Sequence, residues 1–256
     1  MPAEDSRPPE AVKRKRTDEI VDAIKQSIVD DNLLPGDRLP QEKELIARFS
    51  AGKSTVREAL KALEAQGLIR TRTGPGGGAF IDSMPEARAM SLLSNYLFTR
   101  ELTIEHIYAL RKTLEPQVAV SAIGQIDDAG FARLHQLIGV YDHPPADEQE
   151  RWDQRMAELD FHGVVASYSS NPLLAFFCRF LQRLLKDLAV CKDIYQQPQP
   201  VDRRQGIEYQ YQLIDALRRQ DAVAVERVMV AHMAHAAQTM LALQATLQER
   251  FLHDDS

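Results

Sequence analysis

The sequence predicts a mostly α-helical protein in which three helices and a small β-hairpin precede an all-α helical bundle. Apolar residues recur at helical spacing along most of the 256 residues. The segment TGPGGG at residues 73–78 is too rich in glycine for a regular element. Short stretches on either side of it alternate as strands do, and no such alternation follows after residue 84.

The first predicted helix begins at Thr17, a residue suited to cap it, and runs to about Asp30. Residues 1–16 are polar and contain several prolines, so we expect a disordered leader there. Its basic run KRKR, at residues 13–16, is either a mobile arm that contacts DNA phosphates or a solvated tail.

The next two helices are short and lie on either side of a tight turn. Pro40 opens the first of them, the sequence SAG at residues 50–52 breaks it, and Gly67 ends the second. Two helices joined by a turn of three or four residues form a helix-turn-helix, whose second helix enters the major groove of DNA.

The hairpin follows directly. Residues 68–72 and 79–81 form its two strands, and the glycines between them let the backbone approach a phosphate or the minor groove, as a wing does. Residues 17–82 are therefore predicted as a winged helix-turn-helix domain. Residues 83–250 are predicted as an all-α domain that begins a new core.

The charge distribution agrees with this division. The net charge of the chain is −6. Residues 11–81 nevertheless hold 13 Lys and Arg against 10 Asp and Glu, a net of +3, whereas residues 82–256 hold 17 against 24, a net of −7. A polyanion responds to the field within a Debye length of about 8–10 Å, so the first part is the one predicted to bind DNA.

Two further properties of the sequence indicate in which cellular compartment the protein works. No apolar stretch approaches the roughly 20 residues that a membrane span needs. Cys178 and Cys191 lack the spacing of a metal or redox motif, and one pair of cysteines in a chain of this length is no disulfide framework. We therefore expect a cytoplasmic protein without a membrane partner.

The start of the third helix carries side chains suited to DNA. Lys53 and Arg57 are four residues apart and share one face, with the hydroxyls of Ser54 and Thr55 beside them. Arginine can bridge the two acceptors of a guanine edge, while Lys, Ser and Thr suit phosphates. The alternative is a solvated helical hairpin followed by a flexible loop.

Three segments of this region, PGDRLPQEKELIARF, STVREALKALEAQGLI and RTRTGPGGGAFI, resemble the winged-helix domain of the GntR family of bacterial transcription regulators, in particular its FadR branch. The chain departs from the family at residues 51–53, where Ala-Gly-Lys replaces Val-Ser-Arg, and lysine lacks the planar fork of arginine. The resemblance implies a homodimer on a palindromic double-stranded operator. Together with the two arginines that flank the wing, the implied DNA contacts are Lys43, Lys53, Ser54, Thr55, Arg57, Arg70, Arg72, Gly76, Gly77 and Gly78.

The second part resembles the FCD effector-binding domain through HIYALRKTLEPQVAVSA, ELDFHGVVASYSSNPLL and ALRRQDAVAVERVMVAHM. In that family an Asp and three His hold a divalent metal, such as zinc or nickel, to which a small carboxylate binds. The matching positions here are Glu158, His162, Gln210 and His232. Glutamine is a weak ligand, so the resemblance implies a weakened metal site. Alternatively the histidines are hydrogen-bonded core residues, or His235 substitutes.

Three more residues are candidates for effector binding, each with a structural alternative. Arg111 can pair with an effector carboxylate or with Glu115 at i+4. Asn171 precedes Pro172 and can instead cap a helix. Tyr168 lines a cavity or belongs to the core.

Two classes of function follow from these patterns. One is a transcriptional regulator, more often a repressor in this family, whose operator affinity a small organic acid controls. The alternative is a metal-dependent enzyme with an appended nucleic-acid module, using Glu158, His162 and His232. We find no nucleophile with a base and an orienting group, which disfavours the enzyme.

Overall fold

The structure is a computed structural model, and it describes residues 9–97, 99–196 and 203–254. The chain divides after Ala89 into two compact units. Helices α1, α2 and α3 of the first unit span Pro9–Asp30, Glu42–Phe49 and Lys53–Ala65, and strands β1 and β2 span Ile69–Arg72 and Gly78–Ile81. Helix α4, Glu86–Leu97, crosses the division.

The first unit has the predicted three helices and hairpin. Its core lies where the apolar stripes of the helices meet β1 and β2, and Ile24, Leu45, Val56 and Leu63 are all buried there. Helix α1 nevertheless starts at Pro9, within the predicted disordered leader, and not at Thr17. Proline fits the first turn of a helix, where its missing N–H is not needed, so the prolines of this segment do not end α1. The residues before Pro9 lie outside the described part.

The hairpin is antiparallel, with a register that runs from Ile69 opposite Ile81 to Arg72 opposite Gly78. The loop after α1 runs along the free edge of β2. There the Leu39 amide donates to the Ala79 carbonyl at 2.9 Å, and the Ile81 amide donates to the Asp37 carbonyl at 2.8 Å. The base of the wing is therefore bonded on both sides.

The second unit is a helical bundle, which confirms the predicted fold class. Helix α5 is central and packs against α7, α8 and α11, while α10 packs along α11 and α6 along α7. None of the helices within the described ranges has the length and apolar character of a membrane span. The helices are α5 Ile104–Ser121, α6 Asp128–Tyr141, α7 Glu148–Ser167, α8 Pro172–Asp187, α9 Ala189–Gln196, α10 Arg203–Arg218 and α11 Ala222–Asp254.

One predicted helix is in fact two. The apolar pattern predicts a single helix over residues 172–193, but α8 ends at Asp187 and α9 starts at Ala189. Leu188 between them has extended backbone angles. Neither glycine nor proline marks the break, so no local signal in the sequence reveals it. Cys191, Ile194 and Tyr195 of α9 are buried in the second apolar cluster of the bundle.

Candidate functional site

The leading end of α3 is built to meet an anion. The residue before the helix is Gly52, which has no side chain to cap the first amides. Lys53 and Ser54 are exposed and Thr55 is half-buried, while Val56 one position later is fully buried. Free amides at a helix N-terminus carry partial positive charge, so this end attracts phosphate oxygens.

Arg57, one turn into α3, is held in place by the preceding helix. Its Nε lies 2.9 Å from Oε2 of Glu42, in the first turn of α2, and its side chain is 57% exposed. Exposed ion pairs contribute at most about 1 kcal/mol, so the contact orients the guanidinium without preventing it from binding DNA. Lys43, next to Glu42, is also exposed.

The tip of the wing depends on glycine. Gly74 and Gly76 have φ angles of +94° and +76°, which favour glycine. At Gly77 a Cβ would lie 2.4 Å from the carbonyl oxygen of Arg72 and 2.8 Å from that of Gly74. The Arg38 side chain donates to the carbonyl of Gly77, which ties the tip to the loop after α1.

The arginines of the wing differ in their surroundings. Arg70 and Arg72 are both exposed, but the guanidinium of Arg72 lies over the Phe80 ring, 4.9 Å from its centroid. Thr71 between them donates to Oε1 of Glu64 in α3 through its amide at 2.8 Å and its hydroxyl at 2.7 Å. These bonds lower the pKa of Glu64 below its usual value. Helix α3 and the wing are therefore joined directly.

The second unit contains a cavity of about 60 Å³. This volume is room for roughly four to six water molecules. Six residues singled out from the sequence line it together, although they come from four helices. They are Arg111, Glu158, His162, Gln210, His232 and His235.

Glu115 is the central charge below this cavity. Its Oε1 lies 2.5 Å from Nε of Arg111 and its Oε2 lies 2.5 Å from Nδ1 of His162, with all three residues buried. Burial alone would raise the pKa of Glu115, but Arg111 and His162 outweigh it and hold the pKa well below its usual value. The alternative pairing of Arg111 with Glu115 is therefore formed.

The two histidines stack beside this pair. Nε2 of His232 lies 3.2 Å from Nε2 of His162, and the ring planes are 5° from parallel. Burial, with a further effect of His162, lowers the pKa of His232 to about 3. His232 is therefore neutral at physiological pH, and its Nδ1 has no hydrogen-bond partner among the described residues.

The other two candidate ligands are bound to neighbours. Arg155 NH1 donates to Oε2 of Glu158, which is 30% exposed. The Tyr141 hydroxyl donates to Oε1 of Gln210 at 2.6 Å, and burial raises the pKa of Tyr141, so the phenol keeps its proton. In the described part of the chain, no three His, Cys, Asp or Glu side chains are grouped so as to hold a metal ion. The arrangement does not fit a zinc or nickel centre, which prefers imidazole ligands.

Tyr168 and Asn171 do not line this cavity. The Tyr168 hydroxyl donates to Oδ1 of Asp127 at 2.8 Å. Oδ1 of Asn171 accepts from the amides of Leu173 and Leu174 at 3.1 and 3.2 Å, as an N-cap of α8 does. The geometry favours the structural alternative for both residues.

Comparison with known proteins identifies both units. The profile of a family described as "Bacterial regulatory proteins, gntR family" matches residues 16–81, and that of the FCD domain matches residues 106–235. The chain belongs to the GntR family. The FCD match covers just over half of the chain, and the GntR match ends with the last residue of the wing.

Full-length relatives agree with this assignment. The chain is 27% identical over 231 residues to the "HTH-type transcriptional repressor NanR" of Enterobacter sp. (strain 638), covering 86% of this chain and 84% of that protein. It is 26% identical over 249 residues to NanR of Escherichia coli (strain K12), covering 93% and 89%. The solved structure "Streptococcus agalactiae GntR" shares the fold with a TM-score of 0.56, at 22% identity over 87% of this chain and 99% of that one.

These matches make the chain a DNA-binding transcriptional regulator that responds to a metabolite. They give no support to the alternative of a metal-dependent enzyme. The DNA-binding unit of this GntR-family chain is the winged helix, and the FCD domain is its effector unit.

Several cavity residues were not predicted from the sequence, among them Tyr141 and Arg155. Tyr141 lies 69 residues from Gln210, and no spacing links them before the fold is known. Arg155 is three residues before Glu158 on α7, so the i,i+3 rule could have paired them. Applied to the sequence, this rule predicts a cationic neighbour for Glu158.

Proposed function

We propose that the protein is a cytoplasmic repressor that binds a palindromic operator as a homodimer and whose affinity for DNA a small organic acid controls. The observation that carries the proposal is the arginine-containing cavity in the FCD unit of a chain whose other unit is a winged helix. The two NanR relatives are named as repressors, which supports repression.

The DNA contacts follow from the exposed surface of the winged helix. The uncapped amides before Lys53 and the hydroxyls of Ser54 and Thr55 suit phosphates, and Arg57 suits a guanine edge. The wing brings backbone at Gly76, Gly77 and Gly78 to the duplex, with Arg70 beside it. Lys43 adds a further phosphate contact from α2.

The proposed dimer follows from the size of this surface. One winged helix supplies too few contacts for tight and specific binding, whereas two on a palindrome supply twice as many. In this proposal residues 17–82 form the DNA-binding domain and residues 83–250 the effector domain. The observed division after Ala89 falls close to that boundary.

The proposed effector is an anion because the cavity presents two arginines. Arg111 and Arg155 both line it, with tyrosine, histidine and glutamine side chains that can donate hydrogen bonds. Each arginine is also paired with a glutamate, so these charges around the cavity nearly cancel. A small acid with a single carboxylate fits the limited volume and charge.

The test joins DNA binding to a ligand screen. Double-stranded fragments flanking the coding sequence are titrated with the full-length chain in a gel-shift assay. A thermal-shift screen of small organic acids selects effectors, which are then added to the protein–DNA complex. We expect one fragment to bind specifically and at least one acid to change that affinity. Indifference to all double-stranded DNA at low ionic strength would contradict the proposal.

A further inference from the structure

Gln210 is a buried donor whose orientation is fixed. Its side chain is 1% exposed, and its Oε1 accepts from the Tyr141 hydroxyl at 2.6 Å. Because Oε1 faces Tyr141, the amide nitrogen Nε2 points away from Tyr141. It has no hydrogen-bond partner among the described residues. Buried donors are costly when they are left unpaired. Since Gln210 lines the cavity, a molecule bound there is the natural partner.

The side chains around Gln210 do not form a metal site that could bind the effector in its place. The Nε2 atoms of His162 and His232 face each other at 3.2 Å, but the nearby carboxylates of Glu115 and Glu158 are each in contact with an arginine. A carboxamide is a poor ligand for zinc or nickel. His235 also lines the cavity, but among the described residues no third His, Cys, Asp or Glu is grouped with the two imidazoles to complete a metal site.

We infer that this cavity binds the carboxylate of its effector directly, without a metal ion, and that Nε2 of Gln210 is the donor that recognises it. The inference rests on the proposed organic-acid function and specifies its chemistry. Tyr141 is a positioning residue, because its hydroxyl holds Oε1 and thereby turns Nε2 toward the ligand. In this inference Gln210 favours a carboxylate ligand and disfavours a metal ion.

The first test uses metal ions alone. The full-length chain, purified without a histidine tag and stripped with EDTA, is titrated with zinc and separately with nickel in a calorimeter. We expect Gln210→His to bind zinc at least tenfold more tightly than the unaltered chain, since it adds a third imidazole. Gln182→His is the matched control: Gln182 is also buried with an unpaired Nε2, but it does not line the cavity. It should leave zinc affinity unchanged.

The second test uses four acids: acetate, glycolate, malonate and succinate, all in excess EDTA. An acid that raises the melting temperature of the unaltered chain should lose at least tenfold in affinity in Gln210→Leu, which keeps the volume but removes the donor. Tyr141→Phe is a second variant that keeps the ring. It should reduce the acid-induced shift while the far-UV circular dichroism spectrum stays the same.

Three results would overturn the inference. One is an unaltered chain that takes up zinc as tightly as Gln210→His. Another is an acid that binds only when zinc is present. The third is full acid affinity in Gln210→Leu. If none of the four acids binds any variant, the organic-acid function and the role of the Gln210 amide both fail, whereas the zinc comparison still decides whether a metal site exists.

Discussion

At the scale of single residues, Arg57 is the side chain on which the proposed base readout depends most. Glu42 accepts from its Nε at 2.9 Å, and the Arg57 side chain is 57% exposed. A guanidinium that is oriented before binding loses less entropy when it forms a bidentate contact. If Arg57 reads a base as proposed, Glu42 therefore assists it by orienting the guanidinium, although a carboxylate repels DNA.

We expect Arg57→Ala to weaken specific operator binding at least tenfold, because one bidentate base contact contributes about 1–3 kcal/mol of discrimination. The side chain is exposed, so the melting temperature should stay unchanged. Gel-shift titration measures the loss. Arg219→Ala, which removes the same charge at the end of α10, serves as the control and should bind normally. Full affinity of Arg57→Ala would refute the placement of this residue.

Glu158 gives a second residue-scale prediction. An acid entering the cavity meets Arg155 already paired with this carboxylate, so the two anions compete. Glu158→Gln removes the competitor, and we expect the acid selected by thermal shift to bind several-fold more tightly. Calorimetry measures the change. Asp160→Asn, on the same helix but paired with Lys186, should have no effect. Weaker binding in Glu158→Gln would show instead that Glu158 is itself a ligand contact.

At the scale of elements, the tip of the wing has no space for a side chain at Gly77. Gly77→Ala places a Cβ against two carbonyl oxygens, so the turn must open. We expect operator affinity to fall while the circular dichroism spectrum is retained. Gly139→Ala is a matched control, because Gly139 sits inside α6 with open space around it, and alanine is favoured there. Equal affinity of both variants would argue against a role of the wing.

The elements also show what the sequence could predict. The start of a helix is predictable where a capping residue marks it: Asn171, recognised from the sequence as a possible cap, accepts bonds from the amides that follow it, as Asp127 and Asp147 also do at their helices. The break at Leu188 was missed because packing imposes it and no local residue does. The same distinction holds in the cavity: Glu158 and His162 are linked by helical spacing, whereas Tyr141 meets Gln210 only through the packing of α6 on α10.

At the scale of the whole molecule, regulation requires that the acid bind the DNA-bound and free states with different affinities. A ligand with equal affinity for both would shift nothing. The cavity is lined from α5, α6, α7, α9, α10 and α11, which together form most of the effector unit. A ligand that draws these helices together therefore acts on the unit as a whole rather than on one loop.

The last prediction is a thermodynamic requirement of that coupling. If the acid lowers operator affinity by a given factor, the operator must lower acid affinity by the same factor, because the two binding free energies are linked. Calorimetric titration of the acid into the free chain and into the chain saturated with its operator fragment measures one factor, and gel shift at several acid concentrations measures the other. We expect both to lie between about 5- and 150-fold, the usual range of coupling energies. With Gln210→Leu, at least ten times more acid should be needed for the same effect on DNA binding, because the acid has then lost one of its contacts in the cavity. An effect that appears at the same acid concentration in Gln210→Leu as in the unaltered chain would place the controlling ligand outside this cavity.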